Sequence, residues 1–498
     1  MANEESAIRR PVAPIIAVAT LAAFTVGVRL LFTNPTAEDA LITLRYVRNI
    51  LAGLGFVYNP GERVLGTTTP LLTLILVPFG AASANIVIAA KLINIAAEGV
   101  SAVLIYALAR QLMPPKWAFL PALAFALSPA NAVWGASGME TGLYLMLILA
   151  AFYAYARQRY AAAGVVCGLL PIARPDGALV GAVLLCHMAL RRLKGDRPPL
   201  WRFLVAGLAV LVPWVVFSSL YFGSPVPNSL LAKSAFRGPS YMAWLGMLAQ
   251  TLILRAGPAG FLVCAAFVAG VVVILYRRST LAVPLYWLLA YILAFTLARA
   301  GVNYAWYPAP TVPIYLLVSV VGVYALAESR ILRGNRSSAA AGPYPRGAAF
   351  AAWLTTLVVV AAVGSVLLYD RLQYLRTSLA PVEEQRTALG LWLRDNTPPD
   401  AVVCLEPIGH VGWFSDRYIL DEAGLVSPQV IPYNRMIKGR NPPAILQAFE
   451  PDYYVAWSDW DMNRILSDRQ TATWFALTYN MLGAWDCGRH DLILWQHR

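Results

Sequence analysis

Residues 35–70 read PTAEDALITLRYVRNILAGLGFVYNPGERVLGTTTP and follow the first long hydrophobic run of the chain. Four apolar residues recur there at helical spacing: Ala40, Leu44, Val47 and Leu51. This spacing predicts an amphipathic helix that begins at Ala37 and has Thr36 as its N-cap. Such a helix can lie along a membrane surface with its apolar face against lipid or other helices. We therefore expect a surface helix directly after the first span.

The charged residues of this helix have no partners of opposite charge within it. Ion pairs on a helix form between residues three or four positions apart, and neither Glu38 nor Asp39 has a base at those offsets. Arg45 and Arg48 likewise have no acid at those offsets. One interpretation is that these side chains serve a chemical site. The alternative is that Glu38 and Asp39 form a loose capping box with Thr36 and only interact favourably with the helix dipole.

The composition predicts a polytopic membrane protein. Of 498 residues, 59% are hydrophobic and 13% are charged, whereas about 25% are charged in an ordinary soluble domain. Apolar runs of 18 or more residues recur along the chain, which indicates membrane-spanning helices. The net charge of +13 would suggest a nucleic-acid partner in a soluble protein. Here the basic residues cluster at alternate span ends, as the positive-inside rule requires, so no nucleic-acid partner is expected.

The hydrophobic pattern predicts about eleven transmembrane helices in residues 1–369, with the N-terminus in the cytoplasm and residues 33–70 as an outer loop. Leu71–Phe79 is too short to cross the bilayer and is interpreted as a second surface or re-entrant helix. The predicted spans are Val12–Phe32, Asn85–Leu112, Trp117–Gly135, Gly138–Tyr155, Gly164–Ala173, Ala178–Leu190, Phe203–Phe222, Gly257–Tyr276, Leu281–Ala298, Ala309–Leu326 and Ala348–Tyr369.

Residues 370–498 are predicted to form an extracytoplasmic α/β domain, because apolar runs shorten there and Asp, Glu and Pro become more frequent. One helix is expected, followed by β-like runs. These segments are Glu383–Arg394 for the helix and Ala401–Glu406, Tyr418–Leu420, Tyr453–Trp457, Phe475–Trp485 and Asp491–Gln496 for the runs. Cys404 and Cys487 could pair if this domain lies outside the cell. The five cysteines show no metal-ligand spacing.

Three further groups of charged residues are predicted on the outer side of the membrane. They are Glu140 at the start of the fourth span, Arg174 and Asp176 in the turn Arg-Pro-Asp-Gly, and Lys233 in the loop after the seventh span. Ionisable residues at the membrane edge are functional candidates because their placement there costs free energy. Each has a structural alternative: an acid favoured by the helix dipole, a self-neutralising pair, and a solvated loop charge.

This distribution fits the transfer of a sugar from a lipid phosphate. A carboxylate can act as general base on a sugar hydroxyl, and Arg or Lys can stabilise a departing phosphate through charge-assisted hydrogen bonds. Neither a P-loop nor a dinucleotide-binding glycine run occurs in the sequence. A nucleotide-driven reaction is therefore disfavoured. A divalent cation remains an open alternative as cofactor, although the acids do not show ligand spacing.

The motifs of residues 35–70 resemble the first outer loop of GT-C superfamily glycosyltransferases. They are Glu38-Asp39-Ala40, Arg45-Tyr46, GFVYNPGE at 55–62 and TTTP at 67–70. The likeness is to the bacterial branch with mycobacterial arabinofuranosyltransferases, and more distantly to lipid A aminoarabinose transferases and protein O-mannosyltransferases. The motifs at 138–141, 174–177 and 408–412 are similar to the same branch, so the resemblance covers most of the chain.

The resemblance implies an inverting enzyme of the bacterial plasma membrane with an outward-facing site. Its donor would be a polyprenyl-phosphate sugar, and its acceptor a glycan, lipid or protein of the cell envelope. Asp39 would be the base and Glu38 its neighbour, although distant relatives show Asp-Glu where this chain has Glu-Asp, so the choice between them stays open. Phosphate or substrate would be bound by residues drawn from Arg45, Arg48, Glu140, Arg174, Asp176, Lys233 and His410.

A transporter or flippase for lipid-linked sugars is the alternative from another class. Such proteins often contain inverted repeats with broken helices at mid-membrane. No repeat is evident in this sequence, and the acids are predicted at the membrane rim. Glycosyl transfer is therefore the preferred prediction.

Overall fold

The computed structural model describes residues 12–33, 35–236, 241–277, 279–298, 304–334 and 346–498. The predicted cytoplasmic N-terminus, residues 1–11, lies outside this part of the chain. The first sixteen helices are α1 (Val12–Leu30), α2 (Glu38–Leu51), α3 (Pro70–Ala81), α4 (Ile86–Ala109), α5 (Pro115–Ala126), α6 (Pro129–Ala136), α7 (Thr141–Ala156), α8 (Tyr160–Ala173), α9 (Ala178–Leu193), α10 (Leu200–Phe222), α11 (Asn228–Ser234), α12 (Tyr241–Leu252), α13 (Pro258–Tyr276), α14 (Ala282–Ala298), α15 (Val312–Gly334) and α16 (Arg346–Tyr374).

Five helical stretches in the described residues are long and apolar enough to cross a membrane, which supports a multi-pass membrane protein. They are Ile86–Ala109, Leu200–Phe222, Pro258–Tyr276, Ala309–Glu328 and Phe350–Asn396. The other predicted spans correspond to shorter helices or to a bent pair, so the predicted number of eleven is not confirmed.

The bent pair is the predicted third span, Trp117–Gly135. Helix α5 ends at Ala126, and α6 begins at Pro129 with its axis turned by 58°. Proline disfavours helical conformation in the residue before it, here Ser128, and therefore interrupts the helix. The predicted third span is therefore broken in the structure and is not one continuous helix.

The short helix α8 is held by close packing against α10. Gly164 and Gly168 are four residues apart on α8, the spacing of small residues at helix–helix contacts in membranes. A Cβ atom on Gly164 would collide with the carbonyl of Phe203, and one on Gly168 would collide with the carbonyl of Gly207. The absence of side chains at these positions lets the two helix backbones approach each other closely.

Helix α2 lies inside the protein rather than along a lipid surface. The predicted apolar stripe is buried at Ala40, Leu44 and Val47, but the opposite face is buried too, including Tyr46. The helix begins at Glu38, and no side chain caps it, so the predicted cap by Thr36 is wrong. Instead, the Ala37 N–H donates a hydrogen bond to the Ser137 carbonyl oxygen at 3.0 Å.

The C-terminal domain is attached through a continuous helical stretch. Helix α16 passes through a short π-helix, Leu375–Leu379, into α17 (Ala380–Asn396), so the predicted boundary at residue 370 falls within a helix. The remaining elements are β1 (Val402–Leu405), α18 (His410–Ser415), β2 (Tyr418–Asp421), α19 (Ile431–Ile437), α20 (Pro442–Phe449), β3 (Tyr453–Trp457), α21 (Trp460–Leu466), α22 (Arg469–Thr478), β4 (Tyr479–Asp486) and β5 (Asp491–His497).

The strands form one mixed sheet in the order β2-β1-β3-β5-β4. Strand β1 pairs in parallel with β2 and β3, and β5 pairs antiparallel with β3 and β4. Four of the five predicted β-like runs are confirmed as strands. The run Phe475–Trp485 is strand only from Tyr479, because α22 continues through Thr478.

The two faces of the sheet pack into separate cores. Val403 and Leu405 of β1 belong to one core with Cys487, whereas Cys404 belongs to the other. Both cysteines are free, so the disulfide that the sequence allowed is not formed.

The first loop completes one of these cores and docks against the sheet. Tyr46, Phe56 and Tyr58 pack with the β1 residues. The Asn59 side chain accepts a hydrogen bond from the Ile419 N–H at 3.1 Å and donates one to the Ile419 carbonyl oxygen at 2.9 Å. Asn59 therefore pairs with the outer edge of β2 in the way that a neighbouring strand would. This contact explains the conformation of the GFVYNPGE segment.

Candidate active site

A cavity of about 630 Å³ lies between the first loop and the ends of the membrane helices. Five of the predicted site residues line it: Asp39, Glu140, Arg174, Asp176 and Lys233. They come from α2, the turn before α7, the turn after α8, and α11. The fold thus gathers charged residues from four separate segments around one space.

Asp39 occupies the first turn of α2 and is partly exposed to the cavity. Within the part of the chain that the structure describes, its carboxylate makes no hydrogen bond or ion pair. Burial raises the pKa of Asp39 to about 6, with the Lys233 charge opposing this rise and the Glu38 charge adding to it. A carboxylate with a raised pKa and no protein partner is suited to accept a proton from a bound hydroxyl.

Lys233 lies in the last turn of α11 and supplies a positive charge to the cavity. Its Nζ donates a hydrogen bond to the Tyr307 hydroxyl at 3.2 Å and lies 5.2 Å from the centre of the Tyr304 ring. No carboxylate of the described residues lies within ion-pair distance of this amine. The Lys233 charge is therefore available to an anionic ligand.

Arg174 is mostly occupied by neighbouring acids. Its Nε and Nη2 donate to the two carboxylate oxygens of Asp176 at 3.0 and 3.2 Å. Its Nη1 lies 3.6 Å from Glu140 Oε1 and has no hydrogen-bond partner in the described residues. The self-neutralising pair anticipated as the structural alternative is thus present. The Arg174 side chain lines the cavity, but the two acids beside it offset most of its charge.

Hydroxyl and aromatic side chains complete the cavity wall, and the sequence analysis assigned no role to them. The hydroxyl oxygens of Thr43, Thr67 and Thr69 lie 2.9–3.2 Å from one another. Tyr304 and Trp306 stack with ring centroids 4.2 Å apart. In the sequence, the three consecutive threonines at 67–69 could have indicated these hydroxyl groups. The aromatic run at 304–307 was the signal for the stacked rings.

Glu38 points away from the cavity and holds the C-terminal domain. Its Oε2 lies 2.6 Å from His410 Nδ1, and its carboxylate accepts hydrogen bonds from the backbone N–H groups of Gly409 and His410. Arg386 lies 3.4 Å away. Burial raises the pKa of Glu38, but the hydrogen bond and charge of His410, together with Arg386, outweigh burial and lower it to about 2. His410 is buried and does not line the cavity, contrary to its predicted substrate-binding role.

Arg45 and Arg48 also bind the C-terminal domain rather than lining the cavity. The buried Arg45 guanidinium donates to the backbone carbonyls of Tyr58, Gly412 and Arg417. Arg48 donates to the Trp413 carbonyl at 2.9 Å and to the Asp416 carboxylate at 2.9 Å. The sequence predicted only that these arginines have no acidic partner within their own helix, and the structure places their main partners in a distant part of the chain. Neither side chain lines the cavity.

The described residues contain no group of three or more His, Cys, Asp or Glu side chains that could hold a metal ion. In the cavity, the Glu140 and Asp176 carboxylates both lie against Arg174. These contacts do not fit a divalent-cation site. We therefore assign no step of the chemistry to a metal.

Sequence comparison finds relatives for parts of the chain. The family described as a domain of unknown function (DUF8728) matches residues 373–495. A terminal beta-(1->2)-arabinofuranosyltransferase of Mycobacterium tuberculosis is 30% identical over 220 residues, which is 40% of this chain and 35% of that protein. The protein of the same name from Corynebacterium glutamicum is 31% identical over 292 residues, 48% of this chain and 40% of that protein. The matches thus span well under half the length of these relatives.

Structural comparison covers nearly the whole chain. ArnT from Cupriavidus metallidurans bound to undecaprenyl phosphate aligns over 97% of both chains, with a TM-score of 0.60 and 14% identity. The oligosaccharyltransferase of Archaeoglobus fulgidus aligns over 95% of this chain and 73% of its own, with a TM-score of 0.57 and 13% identity. The predicted resemblance is confirmed: this chain has the fold of the GT-C superfamily of membrane glycosyltransferases.

Proposed function

We propose that this protein is an inverting glycosyltransferase that moves a sugar from a polyprenyl phosphate to a hydroxyl group of a cell-envelope acceptor. The observation that carries the proposal is the pair of charges at the 630 Å³ cavity. Among the described residues, the Asp39 carboxylate has no hydrogen-bond or ion-pair partner, and Lys233 has no acidic partner. A base and a free cation around one space are what glycosyl transfer from a lipid phosphate requires.

In the proposed reaction, Asp39 accepts the proton of the acceptor hydroxyl as its oxygen attacks the anomeric carbon. The bond from that carbon to the phosphate oxygen breaks, and the electron pair leaves with the phosphate. Lys233 stabilises the negative charge on this leaving group, and the Arg174 charge at the same cavity wall adds to the effect. Because the oxygen attacks opposite the departing phosphate in one displacement, the configuration at the anomeric carbon inverts.

The donor is proposed from the cavity lining and the relatives. Leu230, Phe236 and Phe295 form an apolar part of the wall next to the charged groups, which suits the first isoprene units of a lipid. ArnT of Cupriavidus metallidurans has been observed with undecaprenyl phosphate, and the curated relatives are named arabinofuranosyltransferases. We propose polyprenyl-phosphoryl arabinofuranose as the first donor to test.

The acceptor is proposed to be a glycan, lipid or protein on the outer face of the bacterial plasma membrane. This placement is supported by the basic clusters at alternate span ends, which put the Asp39 end of the helices outside under the positive-inside rule. The C-terminal domain would then lie outside the cell, above the cavity. A reactive hydroxyl would approach Asp39 from that side.

The test uses purified protein in lipid nanodiscs with polyprenyl-phosphoryl arabinofuranose and an arabinofuranoside oligomer as acceptor. We expect mass spectrometry to show an acceptor lengthened by one pentose, with release of one polyprenyl phosphate for each transfer. The Asp39→Asn protein should bind the donor and release almost no polyprenyl phosphate. Full activity of that protein would contradict the assigned base. Movement of intact donor between leaflets without release would indicate a transporter instead.

A further inference from the structure

A second, smaller cavity of about 160 Å³ lies beside the candidate active site. Its polar wall is made by Arg255, Arg371, Gln250 and Thr251, and Trp134 of α6 closes another side. Gln250 and Thr251 belong to α12, Arg255 follows that helix, and Arg371 lies near the end of α16. None of these residues takes part in the proposed transfer reaction.

The two arginines of this cavity form no ion pair with an acid among the described residues, although the charge of the chain neighbour Asp370 also acts on Arg371. Within the described chain, neither Arg255 nor Arg371 forms a hydrogen bond or an ion pair. The Arg371 guanidinium lies 4.4 Å from the centre of the Tyr374 ring, a contact that leaves its N–H groups unbonded. Two guanidinium groups in one small cavity repel each other unless an anion lies between them. Planar guanidinium groups are well suited to bind phosphate through paired hydrogen bonds.

The position of the cavity along α16 indicates where the anion comes from. Asp370 and Arg371 follow the apolar part of α16, and the exposed rings of Tyr369 and Tyr374 flank them. Tyrosines of this kind are enriched at the depth of the lipid headgroups. The apolar side chain of Leu254 is exposed next to Arg255. The cavity thus combines two cations with apolar surroundings at the membrane interface.

The small cavity is separate from the active site but shares a wall with it. Trp134 lines the small cavity and Trp306 lines the large one, and the two rings meet edge to face with centroids 5.3 Å apart. Arg255 and Arg371 do not line the large cavity. A ligand bound by these arginines would therefore leave the Asp39 site open.

We propose that Arg255 and Arg371 form a second phosphate-binding site that holds the phosphate of a membrane lipid beside the active cavity. Two lipids offer this chemistry: an anionic glycerophospholipid and a polyprenyl phosphate. This proposal requires that the protein lies in a membrane. It does not require that the protein transfers sugars.

The test is native mass spectrometry of the purified full-length protein titrated with phosphatidylglycerol, with undecaprenyl phosphate, or with diacylglycerol, which has no phosphate. We expect the wild-type protein to bind at least one of the two phosphate lipids at the second site. The Arg255→Gln/Arg371→Gln protein should lose this binding about tenfold or more. The Lys233→Gln protein should retain it, since Lys233 lies in the other cavity.

Three results would overturn the proposal. One is binding of both phosphate lipids by the double Gln variant at wild-type affinity and stoichiometry. Another is equal binding of diacylglycerol. The third is complete displacement of lipid by millimolar inorganic phosphate, which would make the site one for free phosphate. A matched Arg255→Lys/Arg371→Lys protein keeps both charges and should retain part of the affinity, which separates loss of the site from loss of folding. The lipid whose binding is lost identifies the natural ligand class.

Discussion

Glu38 Oε2 lies 2.6 Å from His410 Nδ1, whereas the next residue along the same helix, Asp39, faces the large cavity. Successive residues of a helix point about 100° apart, so the adjacent acids meet different surroundings. The Glu38 carboxylate is kept ionised by hydrogen bonds and charges from the C-terminal domain, whereas the Asp39 carboxylate has no partner among the described residues. The order Glu-Asp therefore separates a structural acid from the proposed base.

This separation predicts opposite effects for the two amide substitutions. Asp39→Asn should lower the transfer rate by about 10²–10⁴-fold, the usual contribution of a general base. Its thermal unfolding should not begin at a lower temperature, because burial of the Asp39 charge is unfavourable. Glu38→Gln should keep measurable transfer but lose about 2 kcal/mol of stability, because charged hydrogen bonds to His410 and Gly409 are replaced. Paired activity and unfolding assays on both proteins test this. A stable, inactive Glu38→Gln protein would contradict it.

The activity should depend on pH through Asp39. The base acts only when ionised, and its pKa is raised to about 6 by burial. The value of kcat/KM should therefore rise tenfold per pH unit below about 6 and level off above it. Lys233 lowers the Asp39 pKa. In the Lys233→Met protein, the rise of kcat/KM with pH should therefore occur at a pH about one unit higher. A flat profile between pH 5 and 7 in the wild-type protein would contradict the role of Asp39.

Binding of the lipid phosphate should depend on the charge of Lys233. In the Lys233→Gln protein, the dissociation constant for undecaprenyl phosphate in the active cavity should rise about tenfold, as expected for loss of one charge-assisted contact. The Lys233→Arg protein keeps the charge and should recover part of the affinity. Competition against a radiolabelled donor measures both values. Equal affinities in all three proteins would leave Arg174 as the sole phosphate-binding candidate.

Several charged residues that line the cavity could be predicted from the sequence, because the predicted topology places them on the same side of the membrane. Glu140, Arg174 and Lys233 follow or precede apolar runs, and the alternation of basic clusters assigns their ends of the helices to the same side. Helix termini on one side of a bundle lie close together, so these residues meet Asp39. The contact between Arg174 and Asp176 was anticipated only as the structural alternative, in which the two neighbouring residues neutralise each other.

Contacts between the first loop and the C-terminal domain could not be predicted in this way. Helical periodicity shows that Arg45 has no acidic partner within α2, but it does not report on backbone carbonyls several hundred residues away. The same limit applies to His410, which the resemblance placed at the substrate and the structure places on Glu38. The lengths of the membrane helices could not be predicted from hydropathy either. Short helices such as α8 are stabilised by close packing at Gly164, which hydropathy does not measure.

The stability of the domain contact should depend far more on Arg45 than on Arg48. Arg45→Met removes the Arg45 donor from the carbonyls of Gly412 and Arg417, and each such loss costs about 1–3 kcal/mol. The Tyr58 carbonyl keeps its hydrogen bond from the Asn49 side chain. Arg48→Gln should cost only about 1 kcal/mol, because its partner Asp416 is exposed to solvent. Thermal unfolding in nanodiscs and protease cleavage near residue 400 measure the difference. If Arg45→Met instead kept wild-type stability and lost donor binding, Arg45 would act on the phosphate, as the resemblance implied, and its contacts with the C-terminal domain would not be its main role.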